Sequence, residues 1–583
     1  MKYISHHWKK EDDGILFFFQ RLEEMLFHYS DDIVRAPVHN TRTLLIEYLK
    51  NESEVKKGTV KAYQLDPILE ELCSSIQTDK ILHDKFGEEF IVEIINNIKT
   101  DKGDGVRYLG NKIPQKTYYH WCVDYLKRHA IQPTHKNEIE FGVRAWVSEL
   151  TSYGYSPEYI YTYLREQFDT LITDPNKVLM SFLERFNLEK NNYRVYLSFS
   201  PTLTKYKDLF NTRMHVEFET DEFFPKAKKS KKDFVGYLQI SALDRYKAAE
   251  QAYANISIFL KYYRVISNRS KELVRLFCIV KNEKSDKCYE VPVKSNGYRS
   301  IEPEPKADIE PIVDSIIIEC QGKHRTTYAQ LCKMIDLHNS AISQHDLNDG
   351  FLNLWSILEI VSSSIPSESK IDKVIQGVLP ILQKDYFHVV FENLDQDLID
   401  NLSTQDYQNL IIHLTSDGTT TNYISRFIFL PEYEQLREEY FEKLSEFPVI
   451  RQKIYTLWDL RNSKSQLWSL ANRYAQRVKC HIYRLYRVRN AIVHSGESNL
   501  KIQALGEHLH IYDDRILSEL LIKLANEKTL QTISDVLIDT RMSLSKIRTC
   551  FNDNSSITFE DLKILENSYF YSTPNDEEEL EVH

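Results

Sequence analysis

The sequence predicts a multi-domain, mainly α-helical protein with a mixed α/β region in its middle. The chain has 583 residues, more than one hydrophobic core usually organises, so about two to four domains are expected. The chain contains only 16 glycines but 28 Phe and 36 Tyr. Few glycines and many large side chains favour long helices over a turn-rich β-sandwich. Helical spacing of apolar residues dominates both ends, whereas short β-rich runs occupy the middle.

Residues 1–190 form a predicted helical N-terminal region. Ser156, Pro157 and Glu158 supply an N-cap, a proline at the first helical position and an acidic first turn. Tyr159, Tyr163 and Leu164 then follow at helical spacing. The glycine-rich segment Asp101–Gly110 is interpreted as an exposed loop within this region.

Residues 191–322 form a predicted mixed α/β domain. Its strands are predicted from the runs VYLSFS, MHVEFET, FVGYLQIS, LVRLFCIV and CYEVPV, and a helix is predicted near Ala248–Val265. Pro303–Pro311 is interpreted as a linker. A basic loop in this domain is either a solvated loop or a guide for an RNA backbone. Its lysines are Lys226, Lys228, Lys229, Lys231 and Lys232.

Residues 323–545 return to helical periodicity, and residues 546–583 form an extension with the acidic tail Asn575–Glu581. The segment Leu467–Gly496 predicts one long helix that stops at Ser495-Gly496. Its predicted buried stripe is Leu467, Leu470, Tyr474, Val478, Ile482, Leu485, Val488 and Ile492.

Composition narrows the functional classes. The net charge of −11 disfavours a protein that grips nucleic acid through a broad phosphate footprint, so any such contact is expected to be local. The eight cysteines show no CxxC pair and no zinc-ligand spacing, which indicates reduced cytosolic thiols. His508 and His510 point apart on a helix, so no metal and no cofactor are predicted. With neither a signal peptide nor a membrane span in the pattern, we expect a cytoplasmic protein.

Three polar residues meet at the end of the long helix. Asn490 and His494 are four residues apart and share one face, and the long side chain of Arg489 can converge on the same spot. The helix also carries several closely spaced cationic side chains, which are predicted to contact RNA. These cations are Arg473, Arg477, Lys479, Arg484 and Arg487.

This set of groups suits metal-free RNA cleavage. A ribose 2′-OH that attacks its own 3′ phosphate needs a base titrating near neutrality, which His494 supplies. The phosphate gains negative charge that Arg489 can bind with two donors, and Asn490 can orient the reacting groups. The structural alternative is that His494 only caps the C-terminus of the helix, where the last carbonyls favour a cation.

The surrounding residues resemble a known family. Arg489-Asn490-Ala491-Ile492-Val493-His494, preceded by Tyr486, resembles the RNxxxH signature of HEPN (higher eukaryote and prokaryote nucleotide-binding) domains, in particular the Apea-like branch. Leu337–Val361 resembles the first paired helices of that branch, including its LWxxLE element at Leu354, Trp355, Leu358 and Glu359. A following helix, as in the family, is expected from Leu505, Leu509, Tyr512, Ile516 and Leu520.

The resemblance implies an antiparallel helical bundle that pairs two copies, so that two RNxxxH helices form one RNA-cleaving site. It assigns the catalytic roles to Arg489, Asn490 and His494. Glu359 either orients Arg489 or makes a capping or surface ion pair. Many such proteins are toxins or antiviral defence nucleases that cut tRNA or other structured RNA. The N-terminal region would then sense a trigger protein or ligand, because an unregulated ribonuclease harms its own cell.

Two other functions fit the same residues. The bundle could be a non-catalytic nucleotide-binding, RNA-binding or scaffold module, although such a module need not keep all three polar residues. It could also transfer a nucleotidyl or phosphoryl group, in which case activity would require a nucleoside triphosphate and a metal ion.

Overall fold

The computed structural model describes residues 1–6, 8–27, 39–58, 61–168, 174–218, 233–267, 273–285, 287–292, 298, 325–343, 346–415, 423–495, 502–527 and 529–566. Within these ranges the protein is mainly helical, with a small antiparallel sheet in the middle region, as the sequence predicts. The basic loop of Lys226, Lys228, Lys229, Lys231 and Lys232, the linker Pro303–Pro311 and the acidic tail Asn575–Glu581 lie outside the described residues.

The N-terminal region is helical, as predicted. Its helices are α1 Asp13–Leu26, α2 Thr41–Lys56, α3 Asp66–Thr78, α4 Lys80–Thr100, α5 Lys102–Lys112, α6 Gln115–His129, α7 Lys136–Tyr153, α8 Pro157–Phe168 and α9 Pro175–Arg185. Ser156 caps α8, because its Oγ accepts a hydrogen bond of 3.2 Å from the backbone N–H of Tyr159.

The interpretation of Asp101–Gly110 as a loop was wrong, because this segment lies almost entirely in helix α5. Val106 and Leu109 are fully buried and anchor the helix. Gly105 packs closely against α4, where an added Cβ would lie 2.8 Å from the backbone nitrogen of Ile98. Glycine therefore serves close helix packing here rather than a turn.

The five predicted strands form one antiparallel sheet. The strands are β1 Asn191–Phe199, β2 Glu217–Phe218, β3 Phe234–Ala242, β4 Val274–Asn282 and β5 Cys288–Pro292, in the order β2-β3-β1-β4-β5. The short helix α10 Lys207–Met214 precedes β2. The predicted helix between the third and fourth strands is α11, Arg245–Ser267, whose Ala248, Ala252 and Ile256 pack into the core on one face of the sheet.

Helices also fill the C-terminal region. They are α12 Arg325–Ser343, α13 Leu347–Val361, α14 Lys370–Lys384, α15 Tyr386–Asn401, α16 Thr404–Leu414, α17 Tyr423–Phe429, α18 Glu434–Lys443, α19 Pro448–Asp459, α20 Lys464–Ser495, α21 Ile502–Asn526, α22 Ile533–Cys550 and α23 Phe559–Glu566. Single 3-10 turns join several elements, at Lys10–Asp12, Ala62–Leu65, Pro201–Tyr206, Pro431–Tyr433 and Leu460–Asn462.

The two predicted apolar stripes are confirmed by burial. In α20 every predicted stripe residue except Leu470 and Ile492 is buried, and those two are half-buried. In α21 all five predicted residues are buried. Helix α20 spans 32 residues and ends at Ser495, where the sequence predicts its stop.

Tyr298 packs between α13 and α21. Its hydroxyl donates a hydrogen bond of 2.7 Å to the carbonyl oxygen of Leu347. Its ring lies against Gly350 of α13 and Gly506 of α21, where an added Cβ would approach the ring to 2.9 Å and 2.0 Å. The two glycines therefore make room for the tyrosine between these helices.

Backbone contacts divide the chain into two compact units. One unit contains residues 1–121, 128–143 and 296–583, and the other contains residues 122–127 and 144–295, including the sheet. The N-terminal helices α1–α5 therefore share a unit with the C-terminal helices, although the sequence suggested a separate region. Within the described ranges, no helix is both long enough and apolar enough to cross a bilayer.

Candidate active site

Arg489, Asn490 and His494 lie in the last two turns of α20, beyond its most buried part. Val488 is the last fully buried stripe residue, after which Arg489 and Asn490 are half-buried and His494 is exposed. The guanidinium of Arg489 donates a hydrogen bond of 3.3 Å to the side-chain oxygen of Asn490. All three side chains thus reach the surface while the helix below them is held in the core.

Helix α13 brings an acidic partner to this helix end. Oε1 of Glu359 lies 3.6 Å from Nη2 of Arg489, and the same oxygen accepts a hydrogen bond of 2.9 Å from the indole nitrogen of Trp355. Trp355 is buried, and its ring lies 5.7 Å from the ring of Tyr486 on α20. The LWxxLE element and the RNxxxH element, distant in sequence, therefore meet in the fold.

Two of the predicted RNA-binding cations are instead buried in ion pairs. The side chains of Arg484 and Arg487 are only 8 % and 7 % exposed. Arg484 binds Glu47 of α2 through two donors at 2.9 and 2.7 Å, and it binds Glu71 of α3 at 2.9 Å. Arg487 donates to Oε1 of Glu47, the oxygen that also accepts the hydrogen bond from Nε of Arg484. The expectation that these two arginines contact RNA does not fit their burial, because they attach α20 to the N-terminal helices.

The charges of the buried arginines and of their two glutamate partners affect one another strongly. Burial opposes ionisation of Glu47, but the nearby charges of Arg484 and Arg487 outweigh it and hold the pKa of that carboxyl well below its usual range. Burial raises the pKa of Glu71, and the neighbouring charge of Glu47 acts in the same direction. Glu47 is therefore the main counter-ion of the two buried arginines.

The other predicted RNA contacts on α20 are more accessible. Arg473 is exposed, whereas Arg477 and Lys479 are half-buried. Nε of Arg477 donates a hydrogen bond of 3.4 Å to the carbonyl oxygen of Arg473. These three cations remain candidates for RNA contact, whereas Arg484 and Arg487 do not.

A histidine cluster on α21 was missed by the sequence reasoning. His508 and His510 do point apart, as helical geometry requires, because His508 faces the ring of His481 and His510 faces the ring of His338. His510 and His338 both lie near Asp514. The spacing of His510 and Asp514, four residues apart, was the available signal. The approach of His338 from α12 depends on tertiary packing, and no local sequence pattern indicates it.

The arrangement at the end of α20 supplies a cation, an amide and an imidazole, with a carboxylate that contacts the cation. Searches of protein-family models, of curated proteins and of solved structures found no match to this chain. The geometry of the site and its chemistry therefore carry the functional argument.

Proposed function

We propose that this protein is a metal-independent RNA endonuclease of the HEPN type, with Arg489, Asn490 and His494 as its catalytic residues. The observation that carries the proposal is the contact between Glu359 and Arg489 at 3.6 Å, next to an exposed His494. Of the two roles expected for Glu359, orientation of the catalytic arginine is the one this contact supports. If His494 only capped the helix, Arg489 would need no carboxylate partner on a neighbouring helix.

In the proposed reaction, His494 removes the proton from a ribose 2′-OH, and the resulting oxygen attacks the adjacent phosphorus. Arg489 binds the oxygens of the pentacoordinate phosphate, and Asn490 holds the hydroxyl or the phosphate in place. The 5′ oxygen leaves and takes up a proton. The products are a 2′,3′-cyclic phosphate and a 5′-hydroxyl end, and DNA is not a substrate because it lacks the attacking group.

The proposal extends to a regulated toxin or antiviral defence effector that cuts tRNA or other structured RNA. The buried pairing of Arg484 and Arg487 with Glu47 supports a role for the N-terminal helices in control. Arg487 and Arg484 lie two and five residues before Arg489 on the same helix. A trigger that moves α2 would therefore act directly on the helix that carries the site.

The deciding experiment measures cleavage of total RNA in EDTA by purified wild type, Arg489→Ala and His494→Ala, followed by mapping of the new ends. We expect each substitution to lower the rate by at least about 100-fold, because it removes a transition-state donor or the general base. Arg541→Ala and His413→Ala are matched controls, since both residues are exposed on other helices. These controls should keep wild-type activity.

An RNA substrate with a single 2′-deoxy nucleotide at the mapped site distinguishes attack by the ribose 2′-OH from direct hydrolysis by water. Loss of cleavage at that nucleotide alone is expected. Cleavage that persists there, or activity that requires a nucleoside triphosphate and a metal ion, would contradict the proposal. A wild type that binds RNA but never cleaves it, in cells or purified, would favour a non-catalytic binding module.

A further inference from the structure

A second cluster of reactive side chains lies between α12 and α21. His510 and Asp514 are one turn apart on α21, and His338 approaches them from α12. Nε2 of His338 lies 2.6 Å from Oδ1 of Asp514, and Nε2 of His510 lies 3.5 Å from the same oxygen. The imidazole rings of the two histidines stack with centroids 4.8 Å apart.

We propose that His338, His510 and Asp514 bind a divalent transition-metal ion of the zinc class. Their ligand atoms all lie within 4.8 Å of one another. A tetrahedral ion with bonds of roughly 2.0–2.1 Å separates its ligand atoms by about 3.3 Å. The observed separations bracket that value, so rotations of the more exposed His338 and Asp514 side chains would close the site around His510, with the ion replacing the hydrogen bond between His338 and Asp514.

The donor chemistry selects the kind of ion. Two imidazole nitrogens and one carboxylate oxygen suit Zn²⁺ and its neighbours Co²⁺ and Ni²⁺. Mg²⁺ and Ca²⁺ prefer all-oxygen sites, so the same cluster disfavours them. A simple hydrogen bond between the helices would need only His338 and Asp514. A metal site needs a further ligand. The imidazole of His510, which stacks on that of His338 and faces the same carboxylate oxygen, supplies it.

The burial of the cluster fits such a site. The side chain of His510 is 1 % exposed and that of His338 is 16 % exposed, whereas that of Asp514 is 38 % exposed. The ion would therefore rest on a rigid, buried ligand and enter from the side of Asp514, where a water molecule can complete its coordination. Among the residues that the structure describes, this is the one cluster of three such ligands.

The position of the cluster gives the ion a structural role. Helix α13 packs against both α12 and α21, and it carries Trp355 and Glu359. An ion that links α12 to α21 would fix the two helices that flank α13. Because the proposed RNA cleavage uses no metal, removing the ion is expected to lower stability without abolishing the chemistry.

The test titrates the 583-residue chain, stripped with EDTA and returned to metal-free buffer, with Zn²⁺ alone in a calorimeter. We expect one ion per chain, and at least about 100-fold weaker binding in His338→Gln and Asp514→Asn, since even loss of an outer-shell partner costs about 10–100-fold. Zn²⁺ should raise the melting temperature of the wild type but not of these variants. His413→Gln, an exposed histidine on α16, is the matched control and should bind like the wild type.

Co²⁺ provides a spectroscopic check, because its visible absorption bands report nitrogen and oxygen ligands in a distorted tetrahedral site. His338 and Asp514 are the preferred positions for substitution, since buried His510 risks misfolding; circular dichroism of the metal-free variants verifies their fold. The metal-site proposal would be refuted if the wild type and both variants bound zinc with equal affinity, or if none of the three bound it. The nuclease proposal is tested separately, since cleavage in EDTA can succeed when zinc binding fails, and the reverse.

Discussion

At the scale of single residues, Arg489 depends on its neighbours for a defined position. Its guanidinium contacts Asn490 on its own helix and Glu359 on α13, and its side chain is 23 % exposed. A long arginine side chain at a helix end otherwise samples many rotamers, which weakens its use in catalysis. The indole of Trp355 fixes Glu359 in turn, so a series of contacts runs from the core to the proposed catalytic arginine.

Glu359→Gln is therefore predicted to lower kcat by about 10- to 100-fold, because misplacement of a catalytic group is costly even when the group remains present. KM should change little, and the melting temperature should stay close to that of the wild type, since the Glu359–Arg489 pair is partly exposed. Steady-state cleavage of a single RNA substrate measures both constants.

Two comparisons decide whether Glu359 acts through Arg489. In an Arg489→Ala background, Glu359→Gln should have no further effect, since a positioning residue has nothing left to position. Glu560→Gln, at an exposed pair with Lys563 on α23, should match the wild type. Additive losses in the double variant would contradict the positioning role.

The sequence predicted part of this site for a physical reason. Residues four apart on a helix share a face whatever the fold, so the grouping of Asn490 and His494 follows from local geometry. The burial of Arg484 depends on Glu47 and Glu71, more than 400 residues away, and no local pattern reveals it. The same reason explains why His338 was missed as a partner of His510.

At the scale of elements, α20 combines three functions in one helix. Its apolar stripe is buried, Arg484 and Arg487 attach it to α2 and α3, and its final turns carry the proposed active site. Cations that are buried without a counter-ion are strongly destabilising. The attachment to α2 is therefore expected to matter for stability as well as for control.

Glu47→Gln is predicted to lower the free energy of unfolding at pH 7 by about 3–5 kcal/mol, because it leaves two buried arginines with Glu71 alone. Urea denaturation measures the change. Glu54→Gln, at the exposed pair with Lys57 near the end of the same helix, is the control and should cost less than about 1 kcal/mol. Equal effects of the two substitutions would show that burial adds nothing to the pair.

The effect of Glu47→Gln should also depend on pH. The pKa of Glu47 is lowered in the folded protein, so its ionised form contributes stability above the unfolded-state value of about 4.3, and this contribution disappears as the pH falls further. The difference between wild type and variant should therefore shrink from pH 7 toward pH 3. Glu71, with its raised pKa, acts in the opposite direction but is present in both proteins.

Element prediction failed where glycine had a tertiary role. The glycines of Asp101–Gly110 indicate a loop when read locally, yet Gly105 lets α5 approach the backbone of α4. The apolar stripes of α20 and α21 and the strands of the sheet were predicted correctly, because their periodicity reports burial directly. A periodic apolar pattern therefore predicts an element correctly. A single residue type that serves two structural roles, such as glycine in turns and in close helix packing, does not.

At the scale of the whole molecule, the N-terminal helices α1–α5 and the C-terminal helices form one compact unit. Specific pairs join the first residues of the chain to helices of the C-terminal region, including the backbone N–H of Tyr3, which donates a hydrogen bond of 2.8 Å to the side-chain oxygen of Asn401. A separate sensor domain on a linker would lack such pairs. Any control by the N-terminal region is therefore expected to act through shared packing rather than through tethering.

Two molecules are expected to pair, because the resemblance to HEPN domains implies a site shared by two copies. His494 is exposed, and so is the neighbouring Val493, whose exposed fraction is 48 %. If two copies of the helix end form one site, one imidazole can remove the 2′-OH proton while the other supplies a proton to the leaving 5′ oxygen. Light scattering should then give twice the mass of one chain.

Mixing wild type with growing amounts of His494→Ala, at constant total protein and after subunit exchange, tests whether both copies are needed. If a site requires two intact helices, only wild-type pairs cleave, and the rate falls as the square of the wild-type fraction. At an equal mixture one quarter of the rate would remain, whereas independent monomers would retain one half. A linear fall would exclude the composite site while leaving the single-chain chemistry intact, so the mixture separates the pairing from the mechanism.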